Sequence, residues 1–155
     1  MRSISLGRIC SVFVLLAILR VLAPSDVRAE SGIVVVGGNA DERVRTTATT
    51  AIEKVVQDAG WSLAAKKLSP KEKDALLSCK QPTPSACVPP TLETAGIHQL
   101  VVVTVDTATS DDGSPMFVLV GRVIMTNPQA SQFNKRHCER CADDRLQSEA
   151  TTLVA

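Results

Sequence analysis

Leu100-Val101-Val102-Val103-Thr104-Val105, then Asp111-Asp112-Gly113-Ser114-Pro115, then the apolar run over residues 116–126: this stretch decides the fold. β-Branched and aliphatic residues side by side suit a pleated surface buried against other elements. A Gly/Pro turn between two such runs predicts an antiparallel strand pair. Gly121 falls inside the second run, where a glycine often marks a bulge, so a bulge is expected there. Asn127-Pro128 predicts a second turn. Residues 131–137 then read as a third, polar edge strand, with Phe133 as its one large apolar side chain.

Upstream of this meander the order changes. Ile33-Val34-Val35-Val36 is a short buried strand that stops at Gly37-Gly38. Val44, Ala48, Ala51, Ile52, Val55, Val56 and Ala59 form one stripe of an amphipathic helix over 40–59. Asn39 or Asp41 can cap it, and Gly60 ends it in the left-handed region. Residues 61–65 read as a short strand. Ser69-Pro70-Lys71-Glu72 is a capping box, with Pro70 at the first helical position, and it opens a short helix to about residue 78. The loop 79–90 holds Pro82, Pro84, Pro89 and Pro90, which excludes a regular helix or a central strand. A helical turn is expected at 91–95, closed by Gly96. Downstream of the meander, residues 142–154 read as a helix with Leu146, Ala150 and Leu153 on one face and Asp143 and Asp144 in its first turn, where they suit the helix dipole.

The order is β-α-β-α-β-β(-β)-α. A βαβ unit followed by an antiparallel meander gives a small mixed sheet with helices packed on it, an α+β domain. The domain is expected over 30–155 as a single unit carrying the Pro-rich Cys loop 79–90.

Residues 1–29 read as a secretory signal peptide. Arg2 and Arg8 make a basic start, residues 9–19 an apolar run, and Val27-Arg28-Ala29 a cleavage site before Glu30. The run is shorter than the roughly 20 apolar residues a membrane span needs. An uncleaved anchor is the competing reading, and membrane contact is expected only in that case. A lipoprotein is disfavoured because Cys10 lies inside the apolar run, away from the cut. Export places the chain in the periplasm or outside the cell, where disulfides persist.

The chain carries 17 basic and 16 acidic residues. Removing the leader takes away four arginines and one aspartate, leaving 13 and 15. That balance has no basic footprint for nucleic acid and no polybasic membrane patch. Trp61, Phe117 and Phe133 are the aromatic residues after the leader, too few for a stacking platform.

Four cysteines follow the leader: Cys79, Cys87, Cys138 and Cys141. The first reading is two structural disulfides, with local pairing ahead of cross-pairing; the sequence leaves three connectivities open. The second is thiol redox chemistry at Cys138-x2-Cys141. A CxxC at a helix start lowers a thiol pKa, and Arg136, His137 and Arg140 add positive charge. The third is a four-thiolate zinc staple, with His137 as a spare ligand; its weakness is the seven-residue spacer between Cys79 and Cys87 and the oxidising compartment. No other metal site and no cofactor is expected. Gly37-Gly38 reads as a tight turn and Asp111-Asp112-Gly113 as a hairpin turn, without the spacing of a phosphate or calcium loop. His98 falls at the edge of a strand. Arg122 is a charge inside an apolar strand, so it needs a carboxylate if it faces the core. Otherwise it faces solvent or, with Phe133, a partner surface.

The amphipathic helix ending Ala59-Gly60-Trp61, Ala75-Leu76-Leu77 before Cys79, Ala95-Gly96-Ile97 before the long strand, Gly121-Arg122, and Cys138-Glu139-Arg140-Cys141 form one pattern. It resembles the small α/β domains of bacterial envelope proteins related to the TolB amino-terminal domain and the CsgG/FlgO group. It is most similar to periplasmic domains often joined to PEGA modules, and the chain then reads as a stand-alone or shortened version. The resemblance implies a non-enzymatic envelope domain that binds other envelope proteins or assembles, with no catalytic set to carry over.

Overall fold

The computed structural model describes residues 31–79 and 84–155. The expected signal peptide and part of the Pro-rich loop lie outside the described residues. Among the described residues, five strands and four helices follow in order: β1 (Ser31–Gly37), α1 (Glu42–Asp58), β2 (Ser62–Leu63), α2 (Pro70–Ser78), a 3₁₀ turn (Pro84–Cys87), α3 (Pro90–Thr94), β3 (Ile97–Thr109), β4 (Pro115–Thr126), β5 (Gln129–Glu139) and α4 (Asp143–Val154). The sheet order is β2-β1-β3-β4-β5. β1 runs parallel to β2 and β3, while β3, β4 and β5 form an antiparallel meander. This is a mixed sheet in an α+β fold.

Local chemistry explains the helix ends. Asp41 caps α1, its carboxylate accepting from the Val44 N–H at 2.9 Å. Asn39, the other candidate cap, is used elsewhere: its Oδ1 accepts from the Thr107 N–H at 2.7 Å and fastens the end of β3. Gly60 closes the helix at φ 92°. The capping box of α2 is complete, Ser69 Oγ accepting from the Glu72 N–H and Glu72 Oε2 from the Ser69 N–H.

The helices cover the two faces unequally. α1 and α4 lie together on one face. Val44, Ala48, Ile52 and Val56 of α1 and Leu146, Ala150 and Leu153 of α4 bury Val101, Val103, Val105 and Leu119 beneath them. Each fully buried Val, Leu or Ile side chain among them contributes about 1.5–3 kcal/mol, and the alanines less. On the other face the shorter α2 and α3, with Val88, cover Ile33, Val35, Leu100, Val102 and Ile124.

Two expectations need correcting. Gly121 makes no bulge, since β4 keeps an unbroken register with both neighbours. Its reason is packing: a Cβ there would lie 2.7 Å from the Leu153 side chain, so the glycine lets α4 sit down on the sheet. The strand expected at 61–65 shrinks to the two residues of β2. The Trp61 ring lies over Gly32, where a Cβ would meet Cε3 at 2.5 Å, and after Ala64 the chain leaves the sheet toward Ser69.

Candidate functional site

Register brings Arg122 and Phe133 together. Side chains alternate between faces along a strand, and the row Val102–Arg122–Phe133 runs straight across β3, β4 and β5. It lies on the face of α2 and α3. Arg122 is half-buried and has no carboxylate partner among the described residues. Its Nη1 donates to the Cys79 carbonyl at 3.0 Å and lies 3.8 Å from Cys87 Sγ. The guanidinium thus ties both ends of the Cys79–Cys87 disulfide to the sheet. Phe133 is 60% exposed, the one large hydrophobic residue in that state among the described residues. Its ring, Arg122, Val120, Thr104, Leu77 and Cys79 are among the residues that line a cleft of about 90 Å³. Beyond the cleft, among the described residues, the face is open: Val118 is half-buried, and Lys135 and His137 of β5 are exposed.

β5 is the outer strand of the sheet and runs for 11 residues. Lys135, Arg136 and His137 stand on it in succession and are exposed. The adjacent cations Lys135 and Arg136 oppose pairing of this edge with a second copy of itself.

The second disulfide, Cys138–Cys141, closes the turn between β5 and α4. Cys138 is fully buried under α1 and α4, whereas Cys141 is half-buried and lines a separate cavity of about 320 Å³ with Met116, Phe117 and Arg140. This changes the geometry assumed for redox chemistry. Cys138 ends a strand rather than starting a helix, and α4 is capped at Ala142. An external thiolate therefore has its access through Cys141. The two disulfides sit on opposite faces of the sheet, so the four sulfurs do not converge on one zinc ion. Among the described residues no cluster of three or more His, Cys, Asp or Glu is placed to hold a metal.

The remaining motifs resolve into structural roles. After Gly37-Gly38 the amides are taken up internally: Asn39 N–H donates to Asp106 Oδ1 at 2.8 Å and Ala40 N–H to the Val105 carbonyl at 3.1 Å. Asp112 organises its hairpin turn by accepting from the hydroxyl of Ser110 and from the amide and hydroxyl of Ser114. Those bonds hold its carboxyl below the usual range. His98 lies on β3, its Nδ1 3.1 Å from Thr126 Oγ1.

A linkage the sequence did not disclose joins α2 to α3. Glu72 Oε1 accepts from Thr91 Oγ1 at 2.6 Å while Oε2 serves the capping box. With Lys66 also 4.0 Å away, these bonds lower its carboxyl from 4.5 to about 2, the Thr91 hydroxyl contributing most. The capping signature marks Glu72, but nothing local points to Thr91, 19 residues on.

No protein-family model matches the chain, and no curated protein matches it. Among solved structures it is similar to the PelC dodecamer from Paraburkholderia phytofirmans, at 14% identity over 82% of this chain and 83% of that chain, with a TM-score of 0.43. It is also similar to lipoprotein GNA1162 from Neisseria meningitidis, at 11% identity over 74% and 83% and a TM-score of 0.43. The hypothetical protein CT253 from Chlamydia trachomatis matches at 13% identity over 70% of each chain, with a TM-score of 0.46. All three are bacterial proteins. Likeness at this level carries no argument about the site.

Proposed function

We propose that this chain is an exported domain of the bacterial envelope that acts by protein contact, through the open half of the sheet face around Arg122 and Phe133 and the free edge of β5. The observation that carries the reading is Phe133, 60% exposed beside a half-buried arginine on an outer strand. A bare aromatic next to Arg is the composition of an interface centre. An 11-residue edge offers main-chain bonds to an added strand. Two disulfides suit an oxidising compartment, and no described helix is long and apolar enough to cross a membrane. The sequence pattern that resembles TolB- and CsgG-related envelope domains supports the same reading.

The test is recovery of envelope proteins on affinity-tagged protein, comparing the natural chain with Phe133→Ser and Arg122→Met. Loss of one discrete co-purifying species in both variants, with folding unchanged, is the expected result. Identical recovery from all three overturns this assignment of the surface.

A further inference from the structure

The opposite edge of the sheet is also unfinished. β2 pairs with β1 at Ser31 and Gly32 alone, and one further bond runs from the Ala64 N–H to the Gly32 carbonyl at 2.8 Å. Peptide groups alternate in direction along a strand. The Gly32 carbonyl faces β2, so the N–H and C=O groups of Val34 and Val36 face the same way. Among the described residues no strand pairs with them on that side.

A groove of about 530 Å³ follows this edge. Thr49 and Glu53 of α1 wall it on one side and Lys73 of α2 on the other, with residues 63–68 opposite β1. Its charge is lopsided. Lys66, Lys67 and Lys73 line it against the single carboxylate of Glu53. Lys66 is occupied, its Nζ donating to the Thr91 carbonyl at 3.0 Å and lying 4.0 Å from Glu72. Lys67 and Lys73 are exposed and in no ion pair among the described residues.

We infer that this groove takes an extended, acidic peptide segment of a partner protein as an added strand. Val34 and Val36 supply the main-chain bonds, and Lys67 and Lys73 select the charge. Main-chain pairing gives affinity in this mode of recognition, and side-chain surroundings give selectivity. A second copy of the chain is the poorer occupant, because a symmetric β1–β1 pairing brings Lys67 and Lys73 of both copies into one interface. The groove lies at the far edge of the sheet from β5, so it stands or falls independently of the Phe133 surface.

The probe is a fluorescent heptapeptide alternating valine and glutamate, titrated by anisotropy against the oxidised protein. Its controls are the valine–lysine counterpart and the same acidic peptide with alternate amides N-methylated. The acidic peptide should bind about tenfold more tightly than either control. Lys67→Glu with Lys73→Glu should weaken it about tenfold, while Phe133→Ser leaves it unchanged. In amide hydrogen exchange, Val34 and Val36 should slow on saturation, and β5 should not. Equal binding of the acidic and lysine peptides, no saturable binding, or protection that appears on β5 instead of β1 would each overturn the inference.

Discussion

Under α1 and α4, Val101, Val103, Val105 and Leu119 are shut away from solvent, and even the outer strand is tied in, Asn134 Nδ2 donating to the Leu153 carbonyl at 2.8 Å. On the reverse of the same strands, cover stops part-way. α2 spans 9 residues and α3 only 5, and both lie toward β1 and β3. From Arg122 outward the face is left to Val118, Val120, Phe133, Lys135 and His137. The difference teaches where the packing that stabilises the fold ends and where the proposed contact surface begins. One face is filled by two long amphipathic helices. On the other, the Cys79–Cys87 disulfide held by Arg122 stands beside two short helices, and among the described residues apolar area remains exposed.

That contrast can be broken first at Leu153, which is 1% exposed and seats α4 on Gly121. Leu153→Ala should destabilise the fold by about 2–5 kcal/mol, read from the midpoint of denaturant unfolding. A loss near zero would mean that α4 is not part of the closed face. Next comes the staple on the open face. Cys79→Ser with Cys87→Ser should cost about 2–3 kcal/mol in the same measurement, through the entropy returned to the unfolded loop.

Arg122→Met removes the bond to the Cys79 carbonyl, and should cost on the order of 1 kcal/mol because water can reach the freed carbonyl. The pH response sharpens the comparison within the open face. The Glu72 carboxyl is depressed from 4.5 to about 2 in the folded chain, so its stabilising bonds are fully present above the unfolded value. They weaken as pH falls through the interval from 4.5 to about 2. Glu72→Gln should therefore melt below the natural protein at neutral pH and converge with it at the acid end, as thermal unfolding over that range will show. Asp112, depressed in the same direction, adds to the acid sensitivity of both proteins and cancels in the difference. The smallest stability change belongs to Phe133→Ser, within about 0.5 kcal/mol of the natural chain. A larger loss would place the ring in the core rather than on an interface.

Much of this fold is legible before any coordinates. The α1 stripe, the capping box at Ser69 and the alternation through β3 and β4 are local patterns, and local patterns survive folding. The polarity of residues 131–137 reads as an edge strand, and β5 is the outer strand. What stays illegible depends on long-range placement. Gly121 looks like a bulge because the sequence does not show Leu153 above it. β2 looks longer because the departure of the chain after Ala64 is a tertiary event. Arg122 and Phe133 both stand out in the sequence as surface candidates, but their direct cross-strand neighbourhood depends on the register set by the Asn127-Pro128 turn. Cys138 reads as a helix-start thiol until burial puts it at the end of a strand under α1 and α4. The β1 groove leaves no local signature at all, since it arises from a strand that ends early.

The most direct test of the open face as a contact surface is photo-crosslinking in intact cells. A benzophenone side chain would replace Phe133 in one variant and the exposed Gln147 of α4 in another. A discrete, higher-mass adduct from position 133 and none from position 147 is the predicted result. No adduct from 133, or the same adducts from both positions, would contradict it.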